Sequence, residues 1–132
     1  MSIVPVDAKY IGELEEMDRE AYGPGVYDWW HANEQVTIMM YENGLGFLSY
    51  RLKIHAIEIE KLVVARNVRR LGYGSEMLYW LIERARKRQI NMLRCVLPLS
   101  NIQGSWFLAH HGFDSKLLPK DFIQFQRLVV LR

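Results

Sequence analysis

Leu62-Val63-Val64-Ala65-Arg66-Asn67-Val68-Arg69-Arg70-Leu71-Gly72-Tyr73-Gly74-Ser75 is the stretch on which the reading of this chain turns. An aliphatic strand ending at Val64 runs through a basic loop carrying two glycines and passes directly into a segment patterned as a helix. Glycine lets the backbone turn tightly and brings several N–H groups close to an anion. The first turn of the helix adds about half a positive charge at the same point. Arg69 and Arg70 can add charge of their own. Such a loop suits a phosphate or pyrophosphate, although a glycine pair ahead of a helix is also what an ordinary turn looks like. Two familiar phosphate loops are excluded. The Walker pattern needs Gly-Lys-Ser/Thr, which is missing, and the dinucleotide fingerprint needs a third glycine where Met77 stands.

Outward from the loop, apolar residues at Met77, Leu78, Leu81, Ile82 and Ala85 predict an amphipathic helix over residues 73–88. Residues 92–97 read as a buried strand. A helix over residues 101–111 opens at Ser100 or Asn101 as cap and closes at Gly112. Short strands near 113–116 and 122–131 finish the chain. Upstream, residues 2–6 predict a strand, and Asp7 caps a helix over residues 8–22 that Gly23-Pro24-Gly25 ends. Residues 26–32 predict a short second helix or an aromatic loop. Residues 35–41 and 46–52 predict paired strands joined at Asn43-Gly44, a two-residue hairpin signal. In the strand over residues 55–64, strict alternation puts Ile57, Ile59 and Val63 on one face. Glu58, Glu60, Leu62 and Val64 fall on the other. The order predicts an α/β fold with a mixed, mostly antiparallel sheet flanked by helices, in one domain over residues 1–132.

Composition narrows the class further. The net charge is +2, from 17 basic and 15 acidic residues, so bulk electrostatics do not call for a nucleic-acid partner. The basic run Arg84, Arg86, Lys87, Arg88 reads as a solvated helix face. Apolar runs are too short to cross a bilayer, which predicts no membrane partner. The single Cys95 has no intramolecular disulfide partner, and with no signal peptide in view this points to a reducing, cytoplasmic setting. No Cys/His spacing suggests zinc, since His110 and His111 are adjacent rather than one helical turn apart. A homodimer is left open.

Residues 58–113 resemble the core of the GNAT N-acetyltransferase superfamily. Arg69-x-x-Gly72-x-Gly74 is similar to that family's Gln/Arg-x-x-Gly-x-Gly/Ala pyrophosphate motif. Ser100-Asn101 resembles the step that opens its next helix, and Gly112-Phe113 the pair that closes it. Three motifs at compatible spacing are more specific than any one. The order of elements extends the resemblance over the whole chain, with a core similar to ribosomal-protein N-terminal acetyltransferases. The resemblance implies a sheet with a splayed central strand pair and acetyl-CoA as co-substrate. It implies that Leu62, Val63 and Val64 offer backbone groups to the pantetheine arm, and that Arg69, Arg70, Leu71, Gly72, Tyr73, Gly74 and Ser75 hold the pyrophosphate. Asn101 would contact the cofactor from across the gap. Pro98 fits such a gap, because a proline costs least where no ladder bond is required.

An amine must be neutral to attack a thioester. With reference pKa values near 10.4 for lysine and 8 for an α-amine, about one lysine in 2,500 is neutral at pH 7, against roughly one α-amine in ten. A carboxylate base addresses that shortage. The resemblance places the base at Glu58, with Glu60, two residues on, as second candidate. The competing expectation is that both are solvated and pair with Lys53 or Arg51. The family's general-acid tyrosine has Leu108 in its place here, and water is then the proton source for the departing thiolate. Cys95 reads as a buried structural thiol rather than a nucleophile. Tyr22, Tyr27, Trp29 and Trp30 gather where the resemblance puts the wall of the acceptor site. The short loop over residues 117–121 lacks the tyrosine-bearing segment of the ribosomal-protein enzymes, which argues against a peptide N-terminus as acceptor. Two readings follow: an N-acetyltransferase for an amine, protein-borne or small, or a weakly active or inactive CoA-binding module of the same fold.

Overall fold

The computed structural model describes residues 2–23 and 36–131. The helix or aromatic loop expected over residues 26–32, with Tyr27, Trp29 and Trp30, lies outside the described residues. β1 (Ile3–Pro5) leads through a 3₁₀ turn (Ala8–Tyr10) into α1 (Ile11–Tyr22), with Asp7 accepting from the Lys9 N–H at 3.1 Å. β2 (Thr37–Tyr41), β3 (Gly46–Leu52) and β4 (Ile57–Val64) follow. Next come a 3₁₀ turn (Arg66–Val68), α2 (Tyr73–Lys87), β5 (Met92–Pro98), α3 (Ile102–His110), β6 (Asp114–Leu118) and β7 (Phe122–Leu128).

The seven strands of the described residues join one sheet in the order β1-β2-β3-β4-β5-β7-β6, antiparallel except where β4 meets β5. The predicted α/β class and mixed sheet match this architecture. One face carries α1, through Leu14, Ile38, Met40, Phe47 and Val63. The other carries α2 and α3, through a larger core that includes Met77, Leu81, Leu93, Leu108 and Phe125. The predicted α2 stripe is buried as its spacing requires. Among the described residues no helix is long and apolar enough to cross a membrane.

The turn at Asn43-Gly44 differs from the two-residue hairpin expected. Four residues, 42–45, separate β2 from β3, and only Gly44 has positive φ, at 73°. The Asn43 side chain accepts from the Leu45 N–H at 3.0 Å, while Gly44 N–H reaches the Tyr41 carbonyl at 2.8 Å. Asn43 thus acts through its side chain instead of adopting the left-handed backbone a type I′ turn demands. A Cβ on Gly44 would overlap the Tyr10 ring. Gly44→Ala should therefore destabilise the fold by about 1–3 kcal/mol, through left-handed strain and displacement of that ring. Urea unfolding checks this, and an unchanged midpoint would contradict it.

Candidate active site

β4 and β5 pair only from Ile57↔Leu93 to Ile59↔Cys95. Immediately beyond, β4 carries an extra residue. Tyr50 of β3 faces Ile59 and Ser49 faces Lys61, leaving Glu60 between them. A bulge bends its strand and raises the local twist, so β4 departs from β5 at Glu60. The wedge that opens is a cleft of about 650 Å³, ample for a small-molecule site.

The bulge also overturns the strict alternation expected along β4. Ile57 and Ile59 face the core under α2, but past Glu60 it is Leu62 and Val64 that pack there. Val63 turns to the α1 side instead. One inserted residue shifts the period-2 pattern by one, and sequence alternation alone cannot place it.

Backbone direction follows from the same ladder. The Ala65 N–H reaches the Leu45 carbonyl at 2.9 Å. Antiparallel alternation then commits Lys61 and Val63 to β3 and turns the peptide groups of Leu62 and Val64 toward the wedge. The Val64 carbonyl accepts from Arg69 Nε at 3.2 Å. The Leu62 backbone bonds the Tyr22 hydroxyl at the end of α1. Burial pushes that phenol up to about 12, while the Leu62 bond works in the lowering direction. A bond that favours phenolate means the amide donates and the phenol oxygen accepts. Tyr22 as a residue stays 39 % exposed. Lys61 Nζ lies 5.0 Å from the Tyr22 ring centroid and 2.6 Å from Asp18, a carboxylate only 3 % exposed. This ion pair ties α1 to the bulge and sets where Tyr22 meets the strand.

At the mouth of the cleft, the loop takes left-handed backbone at Arg70 (φ 68°) and at Gly72 (φ 88°), which caps α2. The N–H groups of the first helical turn have no intrahelical acceptor and form a positive cradle. Arg69 does not face the anion as a free charge. It braces the Val64 carbonyl and lies 3.8 Å from Glu20, which Arg66 also pairs at 2.7 Å. Gly74 permits close approach of α3, since a Cβ there would stand 3.3 Å from the Phe107 ring. The Tyr41 hydroxyl, buried beneath, lies 2.7 Å from the Tyr73 carbonyl and 3.1 Å from Glu76, and its one proton is shared between these two acceptors of the same turn.

Most of the site residues predicted from sequence meet in this cleft. Glu60, Leu62, Val63 and Val64 line one side, with Arg69 and Arg70 at the mouth; the Val63 peptide, however, is taken up by β3 and does not offer the backbone groups expected of it. Gly72, Tyr73, Gly74 and Ser75 form the helix entrance, and Asn101 faces them from α3. Asn101 caps α3 by accepting the Gly104 N–H at 2.9 Å, which leaves its side-chain NH₂ able to donate. Two predicted residues lie apart. Leu71 is 65 % exposed and outside the lining. Glu58 is also outside it, 3.6 Å from Arg94 of β5. Glu60 pairs closely with Arg51, one of the partners expected for it. Cys95 is buried at the floor, and burial pushes its thiol up to about 12, a protonated and unreactive state. Leu108 is buried beside it in the lining. Among the described residues no group of three or more His, Cys, Asp or Glu gathers as for a metal.

Sequence reasoning missed the specific place of Tyr22 and the bonding of His111, which it considered as a metal ligand. Tyr22 was only one of several aromatics, and its contact with Leu62 depends on the bulge. For His111 a signal existed: a histidine at the end of a helix, four residues after Phe107, can bond back to that carbonyl, as it does at 2.9 Å.

The profile of the acetyltransferase (GNAT) family matches residues 5–113. A search of curated protein sequences finds no match. Among solved structures, aminoglycoside 6′-acetyltransferase type Ii is similar with a TM-score of 0.80, at 16 % identity over 100 % of this chain and 99 % of that one. The ribosomal-protein-S18-alanine N-acetyltransferase from Escherichia coli gives 0.75, at 15 % identity over 99 % of this chain and 95 % of that one. PaiA N-acetyltransferase from Thermoplasma acidophilum, solved in complex with coenzyme A, gives 0.76, at 15 % identity over 97 % and 99 %. These likenesses bear on the fold, and the names of these proteins span different acceptors on one architecture.

Proposed function

The chain belongs to the acetyltransferase (GNAT) family, and from that premise we propose an N-acetyltransferase that takes acetyl-CoA in the wedge between β4 and β5. The observation that carries this reading is the continuity of the wedge. Peptide groups of Leu62 and Val64 face it along one edge, and the cradle at Gly72–Ser75 stands at its mouth. An extended pantetheine arm needs donors and acceptors along its length, and a pyrophosphate needs N–H groups and positive potential at its end. Asn101 would donate from the opposite side through its free NH₂. Acetyl-CoA supplies a thioester whose carbonyl an amine can attack.

This chain's residues then have two tasks. The backbone at Leu62 and Val64 orients the thioester, with the Tyr22 hydroxyl beside its carbonyl. Glu60, in the bulge and in the lining, takes the proton from the incoming amine directly or through water. Glu58, the first choice from sequence, is the alternative base. Water protonates the thiolate, because Leu108 offers no proton and a thiol of reference pKa about 8.5 leaves readily. The acceptor is an amine, protein-borne or small. A reducing, cytoplasmic setting suits the buried free thiol of Cys95.

Leu108 favours a second reading, a CoA-binding module without efficient turnover. Free-thiol release from acetyl-CoA, measured against a panel of small amines, lysine peptides and free peptide N-termini, separates the two. Amine-dependent release is expected. Acetyl-CoA binding with release no faster than in buffer for every amine would establish the module instead.

A further inference from the structure

Ser75 and His111 meet across the cleft mouth, from the first turn of α2 and the end of α3. Ser75 Oγ lies 2.8 Å from His111 Nε2, and His111 Nδ1 lies 2.9 Å from the Phe107 carbonyl. A carbonyl can only accept, so Nδ1 carries a proton in either charge state of the ring. In the neutral ring Nε2 is therefore the bare nitrogen, and the Ser75 hydroxyl must donate to it. That commits the one proton Ser75 has, turning it away from an anion in the cradle. If Nε2 gains a proton from solvent, the bond reverses: Nε2–H donates to Ser75 Oγ, and the hydroxyl proton is released toward the cleft.

The surroundings favour the charged ring once an anion arrives. His111 ends α3, where the helix dipole favours a cation. The ring is fixed by Phe107, at 4.4 Å between centroids, and by the edge of Tyr79 of α2 at 6.3 Å. The titratable and charged neighbours are His110 on α3, with its ring 5.6 Å away, Tyr79 on α2, and Arg127 of β7, whose Nε approaches Gly112. Arg127 and a charged His110 oppose a proton on His111, and none of these neighbours is a carboxylate. The anion itself is thus the group that compensates the charge, which links protonation to binding.

We propose that His111 is a proton-linked positioning residue: phosphate binding at the α2 cradle places a proton on Nε2 and frees the Ser75 hydroxyl to donate to the phosphate. This rests on the cofactor reading above. The link is therefore to be sought across the pH range in which a histidine side chain changes charge.

The probe is dephospho-CoA, whose pyrophosphate diester has no ionisation near neutral pH, unlike the 3′-phosphate of CoA. Its dissociation constant is measured by calorimetry from pH 6 to 8.5, in buffers of different ionisation enthalpy. For the parent protein, binding should take up a fraction of a proton, and affinity should fall as pH rises, by about tenfold overall. His111→Gln presents an NH₂ to Ser75 at every pH and should bind with a flat profile. Ser75→Ala should weaken binding at pH 6 but little at pH 8.5, where the hydroxyl is already committed. A flat parent profile, or a slope unchanged in His111→Gln, would overturn the link while leaving the cofactor reading intact. No binding at any pH would overturn both.

Discussion

Glu60→Gln is expected to lower the acetylation rate at pH 7 by about a hundredfold or more, the usual scale for loss of a general base. The glutamine keeps the volume of the side chain but cannot take a proton. Because the amine's protonation creates the need for a base, the deficit should shrink as pH approaches the amine's own pKa, near 10.4 for a lysine. Acetyl-CoA affinity should be unaffected. Glu58→Gln, at a residue outside the cleft and beside Arg94, should cost less than roughly tenfold. The reverse order of effects would move the base to Glu58. A ratio of mutant to parent rates that does not vary with pH would argue that no side chain serves as base.

Gly72→Glu should abolish acetyl-CoA binding. A Cβ at Gly72 meets nothing within 4 Å, so a side chain there has open space at the cleft mouth. There it sets a carboxylate beside the N–H groups of the α2 entrance, where the pyrophosphate is to sit. Two anions cannot share one cradle without a repulsion that short range and partial burial leave largely unscreened. The left-handed φ of 88° adds strain of about 1–2 kcal/mol for most side chains, but little for asparagine. Gly72→Asn is therefore the control for charge. Acetyl-CoA at a hundredfold excess over its dissociation constant should stabilise the parent by about 2.7 kcal/mol. That thermal shift should persist in Gly72→Asn and vanish in Gly72→Glu. A shift that survives the glutamate would remove the cradle from the binding site.

Much of this was legible in the residues. The α2 stripe, the strand ending at Val64 and the glycine loop are local patterns, and local patterns survive folding because neighbours in sequence create them. Asn101 and Gly112 mark the limits of α3 for the same reason. What escaped depends on non-local pairing. The bulge at Glu60 exists because Ser49 and Tyr50 of β3 face Lys61 and Ile59, and nothing within β4 announces the extra residue. Its consequences were hidden with it: the exchange of faces at Val63, the departure of β4 from β5, the separation of Glu58 from the cleft. Arg69 was expected as a charge for the anion, but Glu20, from α1, helps turn it into a brace. The Ser75–His111 contact joins residues 36 apart in sequence, and only the packing of α3 on α2 brings them together.

Amide hydrogen exchange by NMR, with and without saturating acetyl-CoA, tests the wedge most directly, because it reads the path of the bound molecule residue by residue. Lys61 and Val63, committed to β3, report only the general stabilisation that any ligand confers and serve as the baseline. Val64 faces the wedge, and Tyr73, Gly74 and Ser75 form the cradle. Their amides should slow by about tenfold or more beyond that baseline. Acetyl-CoA that binds while Val64 and the cradle amides exchange no more slowly than the baseline would contradict a cofactor lying along β4.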